Sequence, residues 1–499
     1  MSAADFMGLL PLVVLAGGSI LVLLAAAFTR RLTVSFVMTI ATLGVSIGCA
    51  WISWPSLPLA IGALLSFDGF VVFGIVLILG ATLFAAISAW AYLWGREEEG
   101  GDVFFLLLVS SLGACILAAA SAFATFFLGL ELMSVSLYAL IGWRRERGIG
   151  TEAAIKYLIL AGASSAFLLF GMALVYAESG SMALASLASS AQGPIAAVGL
   201  GMMLVAIGFK LAVVPFHLWT PDIYDGAPAP VTGYIATVSK GAMVVVLARA
   251  FAPALVGTGG VNGLATGAQG AVQSPALGAV SVAFPWVFAV IAGLSMFAGN
   301  LLALRESNVK RILAYSSIAH LGYILVAFLA GGAEAIRAIA FYLAAYFATT
   351  LGAFAAISEL STRERDADSL EDYRGLAARR PWLAAVLATM LLSLAGLPLT
   401  AGFIGKFIIL RAGAGAELWI LAVILAVNGT ISIFYYLKII SAMFRGFAEP
   451  MAGSGVLTAA RVPLIAACAL AVLALTVVVL GVYPSPLLSF IGAFTTAGL

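Results

Sequence analysis

Apolar runs of about twenty or more residues follow one another along this chain with hardly a charge inside them. A run of about 18 such residues is long enough to cross a bilayer as an α-helix. In hydrocarbon every backbone N–H and C=O needs an internal partner, which leaves only helices and closed barrels. Barrel strands alternate apolar and polar residues, whereas these runs are apolar throughout. The sequence therefore predicts an all-α polytopic membrane protein. Charged residues make up 9% of the 499, against roughly 25% in a soluble domain. A net charge of +2 gives no case for nucleic acid. Cys49, Cys115 and Cys468 lie inside apolar runs and read as small buried hydrophobes, with no metal or redox spacing. The first run lacks the basic flank and cleavage site of a signal peptide, so it reads as a retained helix.

Breaking the chain at charged or Gly/Pro-rich stretches gives about fourteen spans: 6–28, 33–53, 69–94, 103–120, 122–142, 153–177, 195–219, 228–252, 282–303, 309–330, 333–360, 382–410, 417–443 and 461–484. Lys and Arg accumulate in cytoplasmic loops. One set of alternate loops holds Arg30, Arg31, Arg96, Arg144, Arg145, Arg147, Arg305, Lys310, Arg311, Arg363, Arg365, Arg374, Arg379, Arg380, Arg445 and Arg461. The other set holds Arg249, Arg337 and Arg411. The first set is predicted to face the cytoplasm, which puts both termini on the opposite, periplasmic side. The charged loop at 361–381 reads as a solvated connector, or a helix lying along the membrane surface, without a catalytic pattern.

The two basic residue types are segregated. Nearly every Arg is in a loop or at a helix end, but Lys156, Lys210, Lys240, Lys406 and Lys438 fall within predicted helices. Arginine stays protonated, whereas a desolvated lysine can lose its proton near neutral pH. A charge at membrane depth is costly and usually marks function. Lys210, Lys240 and Lys406 sit near mid-span or at a helix break, so they are the leading candidates for proton transfer. Lys156 and Lys438 are nearer the surface, where snorkelling competes with function.

Glu131 is the acid nearest the centre of any span, in FATFFLGLELMSVSLYALIGW. Alone it would protonate; beside a lysine both can stay charged. His217 and His320 can serve as relay groups, since imidazole titrates nearest physiological pH. On a continuous helix His217 would share a face with Lys210. For His320 a static role, hydrogen-bonded to Ser316, Ser317 or Tyr323 one turn away, competes equally. Two histidines without clustered carboxylates predict no metal centre.

Two spans carry proline at depth: IGFKLAVVPFHLWTP with Pro215, and LAGLPLTAGFIGK with Pro398. Proline removes a donor and clashes one turn back, so both helices should break. Interrupted helices at matching positions of two halves point to a transport site built from inverted repeats. The predicted organisation is helices 1–3 at 1–102, a first five-helix repeat at 103–252, a non-cytoplasmic loop at 253–281, a second repeat at 282–443, and a C-terminal helix at 444–499. The repeat is imperfect, because proline follows lysine in the first half and precedes it in the second.

The segment 208–240, GFKLAVVPFHLWTPDIYDGAPAPVTGYIATVSK, resembles the antiporter-like membrane subunits of proton-pumping NADH–quinone oxidoreductase, respiratory complex I. VKRILAYSSIAHLGY at 309–323 and LAGLPLTAGFIGKF at 394–407 belong to the same pattern. Of the three bacterial types, lettered L, M and N, WTPDIYDGAPAPVT and LELMSVSLYALIG are most similar to N. The resemblance implies that Glu131 and Lys210 form the family's ion pair, that Lys240 is its central lysine, and that Lys406 is the lysine of the exit-side broken helix. It gives Lys156 and His217 secondary roles. It also implies neighbouring antiporter-like subunits as partners, a bacterial inner-membrane location, and NADH, FMN, iron–sulfur clusters and quinone held by other subunits, with no cofactor in this chain. Water and the Lys and His side chains would form a proton wire switched by the Glu131–Lys210 pair. The alternatives are a subunit of a multi-subunit cation/proton antiporter, marked by sodium-dependent, NADH-independent exchange, and a structural scaffold with static ion pairs.

Overall fold

The structure, a computed structural model, describes residues 3–94, 100–144, 148–187, 193–257, 275–362, 365–446 and 462–496. The loop cations Arg96, Arg145, Arg147, Arg363 and Arg461 lie outside the described residues. Among those described, 13 helices are long and apolar enough to cross a membrane.

Helices α1 (Ala3–Thr29) and α2 (Leu32–Ser53) pack together. A short antiparallel ribbon of β1 (Leu59–Ile61) and β2 (Leu65–Phe67), with Leu59 opposite Phe67, leads into α3 (Gly69–Leu93). Asp68 caps α3 by accepting from the Val71 N–H at 2.8 Å. Next come α4 (Gly101–Ala119), α5 (Phe123–Ile141), α6 (Gly148–Ser179) and α7 (Pro194–Leu211). A Cβ on Gly113 of α4 would lie 2.4 Å from the Met133 nitrogen, and one on Gly129 of α5 would lie 2.6 Å from the Leu117 nitrogen. Only glycine lets these two backbones touch, the close packing expected without a hydrophobic drive between helices.

A break then separates α7 from α8 (Trp219–Gly226) and α9 (Ala229–Tyr234). A π turn at Ile235–Ser239 joins α9 to α10 (Lys240–Gly257). The second half holds α11 (Pro275–Arg305), α12 (Val309–Ala330) and α13 (Gly332–Leu360). The span expected at 382–410 is divided into α14 (Pro381–Ala395) and α15 (Ala401–Gly415). Helices α16 (Trp419–Phe444), α17 (Leu464–Val482) and α18 (Ser485–Thr496) complete the chain.

Burial ranks the helices. In the most apolar windows, 100% of Ala229–Ala250, 94% of α12 and 89% of α13 is buried, against about 30% for α1, α2 and α17. Thus α9–α10, α12 and α13 form the inner axis, and the polar residues on them have nowhere to go but toward one another. Some expectations differ from the structure. Helices α10 and α11 extend into the expected loop at 253–281, because Pro275 is tolerated in the first turn of a helix; residues 258–274 lie outside the described residues. Among the described residues, the C-terminal segment holds two helices rather than one. The ribbon was not foreseen, since its strands are only three residues each.

Candidate functional site: buried lysines between two helix breaks

Helix α7 ends at Leu211, with Ala212 in the left-handed region (φ 58). Pro215 has no N–H to continue it. The Val214 N–H donates to Ser295 Oγ at 2.9 Å, and the Phe209 carbonyl, which accepts from the Ala212 N–H at 3.0 Å, also accepts from the Trp219 indole N–H at 3.0 Å. Lys210, in the last turn of α7, is 1% exposed. Its ammonium donates to Ser134 Oγ at 2.6 Å and to Tyr157 Oη at 3.5 Å, and it lies 5.4 Å from the Tyr157 ring centroid. Ser134 passes its own hydrogen to the Leu130 carbonyl. Glu131 is partly buried and accepts from the Ser165 hydroxyl. No ion pair joins Glu131 to Lys210 among the described residues; the carboxylate acts on the lysine through space. The break also removes the continuous helix that would have put His217 on the face of Lys210. His217 is buried, and its Nδ1 has no hydrogen-bond partner.

Lys240 opens α10 directly after the π turn, a distortion frequent at functional sites. It is 2% exposed, donates to Ser317 Oγ, and lies 5.2 Å from the Tyr224 ring centroid. Tyr224 Oη shares a 3.3 Å hydrogen bond with the same serine. On the side of Lys210, Tyr157 is within interaction range of Ser239, the residue before Lys240.

His320 occupies the middle of α12. Its Nδ1 meets Tyr342 Oη at 2.6 Å and its Nε2 meets Tyr436 Oη at 3.2 Å. Tyr436 in turn shares a hydrogen bond with Ser316, the neighbour of Ser317. The partners of His320 thus come from α13 and α16 rather than from its own helix. Lys240 and Lys406 both act on it electrostatically. Lys406, on α15, donates to the carbonyls of Leu394 (2.9 Å) and Ala395 (2.8 Å), which the break at Gly396–Thr400 frees. It lies 5.2 Å from the Tyr323 ring centroid. Gly396 has φ +83, and a Cβ there would stand 2.8 Å from Lys406 Cδ, so this C-cap admits only glycine.

Lys210, Lys240 and Lys406 share one environment: each is buried, faces a tyrosine ring, and forms no ion pair among the described residues. The outer lysines differ. Lys438 is exposed and donates to the Glu306 carbonyl at 2.8 Å. Lys156 is 44% exposed and pairs with Glu152 (2.7 Å) and Asp222 (3.0 Å). Lys156 lines an open pocket of about 200 Å³ together with Glu152, Asp222, Asp225 and Arg311. Burial pushes the Asp222 carboxyl up, but hydrogen bonds from Lys156 and Arg311 outweigh it and hold the group below the usual carboxylate range. Glu306 is held down in the same way, burial being outweighed by the N–H groups of Asn308 and Ser307 and by Arg311.

Lys310 corrects the sequence reading. Placed there among the loop cations, it lies within α12, is 1% exposed, and pairs with Asp366 at 2.9 Å. The loop reading failed because Lys310 is the second residue of its helix and its carboxylate comes from a loop 56 residues away. Sequence reasoning also missed Tyr157, Tyr224, Tyr342 and Tyr436. The usable signal was a tyrosine inside an apolar run, since a buried phenol usually finds a hydrogen-bond partner. Among the described residues no three His, Cys, Asp or Glu side chains gather as a metal site.

A family model described as "NADH:quinone oxidoreductase/Mrp antiporter, TM" matches residues 120–259 and 269–432. An NADH-quinone oxidoreductase subunit N of Ectopseudomonas mendocina is 42% identical, over 98% of this chain and 96% of that protein. The subunit N of Methylococcus capsulatus is 41% identical, over 96% and 93%. Among solved structures, a chain of respiratory complex I from Thermus thermophilus with bound aureothin superposes with a TM-score of 0.79 at 32% identity, covering 96% of this chain and 98% of that one. A chain of the Mrp complex from a Dietzia species gives a TM-score of 0.83 at 21% identity over 99% and 97%, a likeness of fold.

Proposed function

This chain belongs to the NADH:quinone oxidoreductase/Mrp antiporter transmembrane family, and from that premise we propose that it carries protons across the membrane on Lys210, Lys240 and Lys406. It is a multi-pass bacterial inner-membrane subunit of a proton-translocating NADH–quinone oxidoreductase of the subunit N type. It works within a multi-subunit membrane assembly. Both termini face the periplasm in this reading, as the loop cations predict, and the halves 103–252 and 282–443 are inverted copies.

The observation that carries the proposal is three buried lysines with no carboxylate among the described residues in contact. A fixed structural charge in an apolar interior is normally paired, because an unpaired one costs several kcal/mol. These three are held instead by hydroxyls, tyrosine faces and backbone carbonyls. Such partners also accept hydrogen bonds from a neutral amine, so the proton can leave without collapse of the site. Ser239, Ser317, Ser316, Tyr436 and His320 fill the intervals along the axis. Glu131 is the switch: parked on Ser165 it leaves Lys210 without a contact anion, and moved against the lysine it would hold the proton by roughly 4 kcal/mol at about 4 Å and a dielectric near 20. Alternation between these positions, driven by quinone chemistry elsewhere in the complex, would load and release Lys210.

The test is the proton-to-electron ratio of sealed membrane vesicles carrying Lys210→Ala, after confirming assembly. The expected result is a loss of pumping, whether or not NADH–quinone activity falls with it. An unchanged ratio at full activity would make the buried lysine structural.

A further inference from the structure

Lys310 spends all three of its ammonium hydrogens: on Asp366 Oδ2 at 2.9 Å, and on the carbonyls of Asp225 and Ala227, both at 2.7 Å. Those carbonyls lie at the junction where α8 ends and α9 begins, one in the last turn of α8 and one opening the sequence APAP at 227–230. Pro228 and Pro230 have no N–H, so the junction cannot be closed as ordinary helix. Two side chains supply the missing donors. Lys310 is one, placed at the C-terminus of α8 where the helix dipole favours a cation. The other is Thr232, whose single hydroxyl hydrogen is shared between the carbonyls of Tyr224 (3.3 Å) and Ala227 (3.2 Å) and that of Pro228 (3.2 Å), which also accepts from the Thr232 N–H at 2.9 Å. Asp366 is itself gripped from α3, by the Tyr92 hydroxyl at 2.7 Å.

The junction matters for what it carries. Tyr224, one residue before Asp225, presents its ring to Lys240 and its hydroxyl to Ser317, the acceptor of Lys240. We propose that Lys310, braced by Asp366, is a positioning residue for proton transfer at Lys240: it fixes the α8–α9 junction and so holds Tyr224 against Lys240 and Ser317. This inference rests on Lys240 acting in proton transfer. It assigns Lys310 no proton of its own to pass on. A plain buried ion pair would need only its two charges, whereas this role needs the donors that Lys310 gives to backbone.

The experiment uses the assembled complex and two readouts, amide hydrogen exchange of the segment 219–240 and the proton-to-electron ratio. Lys310→Met is expected to raise exchange in 219–234 at least tenfold and to lower the ratio by half or more. Lys310→Arg, which keeps the charge and several donors, is expected to recover most of both. Removing both charges, in Lys310→Met/Asp366→Asn, is expected to leave both defects in place. Should Lys310→Met yield too little complex, Thr232→Val removes the other donor without touching a charge and is expected to move both readouts in the same direction, by less. Unchanged exchange in Lys310→Met, or in Thr232→Val where that variant stands in, would overturn the proposal, as would full restoration by the double neutral variant. Lys240→Met measured alongside separates the two readings. A normal ratio there would sink the role of Lys240 while leaving the exchange result to judge the junction.

Discussion

The two helix breaks solve one problem in opposite ways. At the first, the carbonyls of Gly208 and Phe209 are closed by the N–H groups of Val213 and Ala212, with the Trp219 indole added on Phe209, and Lys210 is left to face a hydroxyl, a tyrosine and, at a distance, Glu131. At the second, the freed carbonyls of Leu394 and Ala395 are served by Lys406 itself. In the first half the structural work and the charge sit on different residues; in the second they sit on one. Sequence symmetry hides this, because both breaks read as a lysine near a proline. A lysine relieved of structural work can be switched by a movable side chain. A lysine bonded directly to two backbone carbonyls is fixed in place and suits a constant station on the path.

The sharpest way to break the comparison is to remove each lysine and weigh stability against pumping. Lys406→Met should abolish pumping and also destabilise the protein by about 2–4 kcal/mol, since a buried carbonyl left unsatisfied costs about 1–3 kcal/mol. The cost falls on both carbonyls, because the Ser432 hydroxyl near Ala395 gives its one hydrogen to the Gly429 carbonyl at 2.6 Å. Lys210→Met should abolish pumping with a stability change within about 1 kcal/mol, since Ser134 keeps its bond to Leu130. Thermal unfolding of the purified complex checks this, and equal melting of the two variants would erase the distinction.

Next in size is Glu131→Gln. With no contact pair in place, the carboxylate contributes less than the roughly 4 kcal/mol of a pair at about 4 Å. The variant should slow pumping severalfold rather than abolish it, and assembly should be normal because Gln still accepts from Ser165. A loss as complete as that of Lys210→Ala would mean that the pair is closed for most of the cycle.

The spans, the two breaks and the buried lysines were legible in the sequence because each depends on local chemistry: apolar length, a missing N–H, and an amine at depth. What stayed hidden depends on partners far apart in the chain. Lys310 looked like an anchor beside Arg311 until Asp366 and the APAP junction came to meet it. His320 was weighed against hydroxyls on its own helix, whereas its bonds go to Tyr342 and Tyr436. The resemblance implied a Glu131–Lys210 ion pair, and the structure sets each of them on a serine instead. Register between helices decides all three, and no periodicity within one helix contains it.

The caps of the two breaks sharpen the comparison at smaller cost. Gly396 and Ala212 both have positive φ, but only the first position carries the residue suited to it. Gly396→Ala should destabilise by at least about 1 kcal/mol, through left-handed strain and the contact of the new Cβ with Lys406. Ala212→Gly should stabilise by up to about 1 kcal/mol, the strain relieved being partly offset by the entropy of glycine. Opposite shifts of the unfolding midpoint are the expected outcome. Shifts of the same sign would mean that the breaks are not held by their caps.

The smallest effect is expected outside both breaks, at the pocket that holds Lys156 and Asp222. The pair is 44% and 38% exposed, and solvent and salt leave exposed pairs of that kind contributing little. Lys156→Ala should therefore change pumping by less than about twofold, even though the lysine lies in a membrane-spanning helix. Asp222 has its carboxyl held below its usual range. A depressed carboxylate contributes stability above its unfolded value, near pH 4, and loses it as the pH falls through the folded one. The modest cost of Lys156→Ala should then be constant between about pH 6 and 8 and vanish only in acid. Melting wild type and variant across that range decides it. A cost that changed with pH between about 6 and 8 would mean that the pocket holds a group titrating there, and the division between a switched interior and a static surface would have to be redrawn.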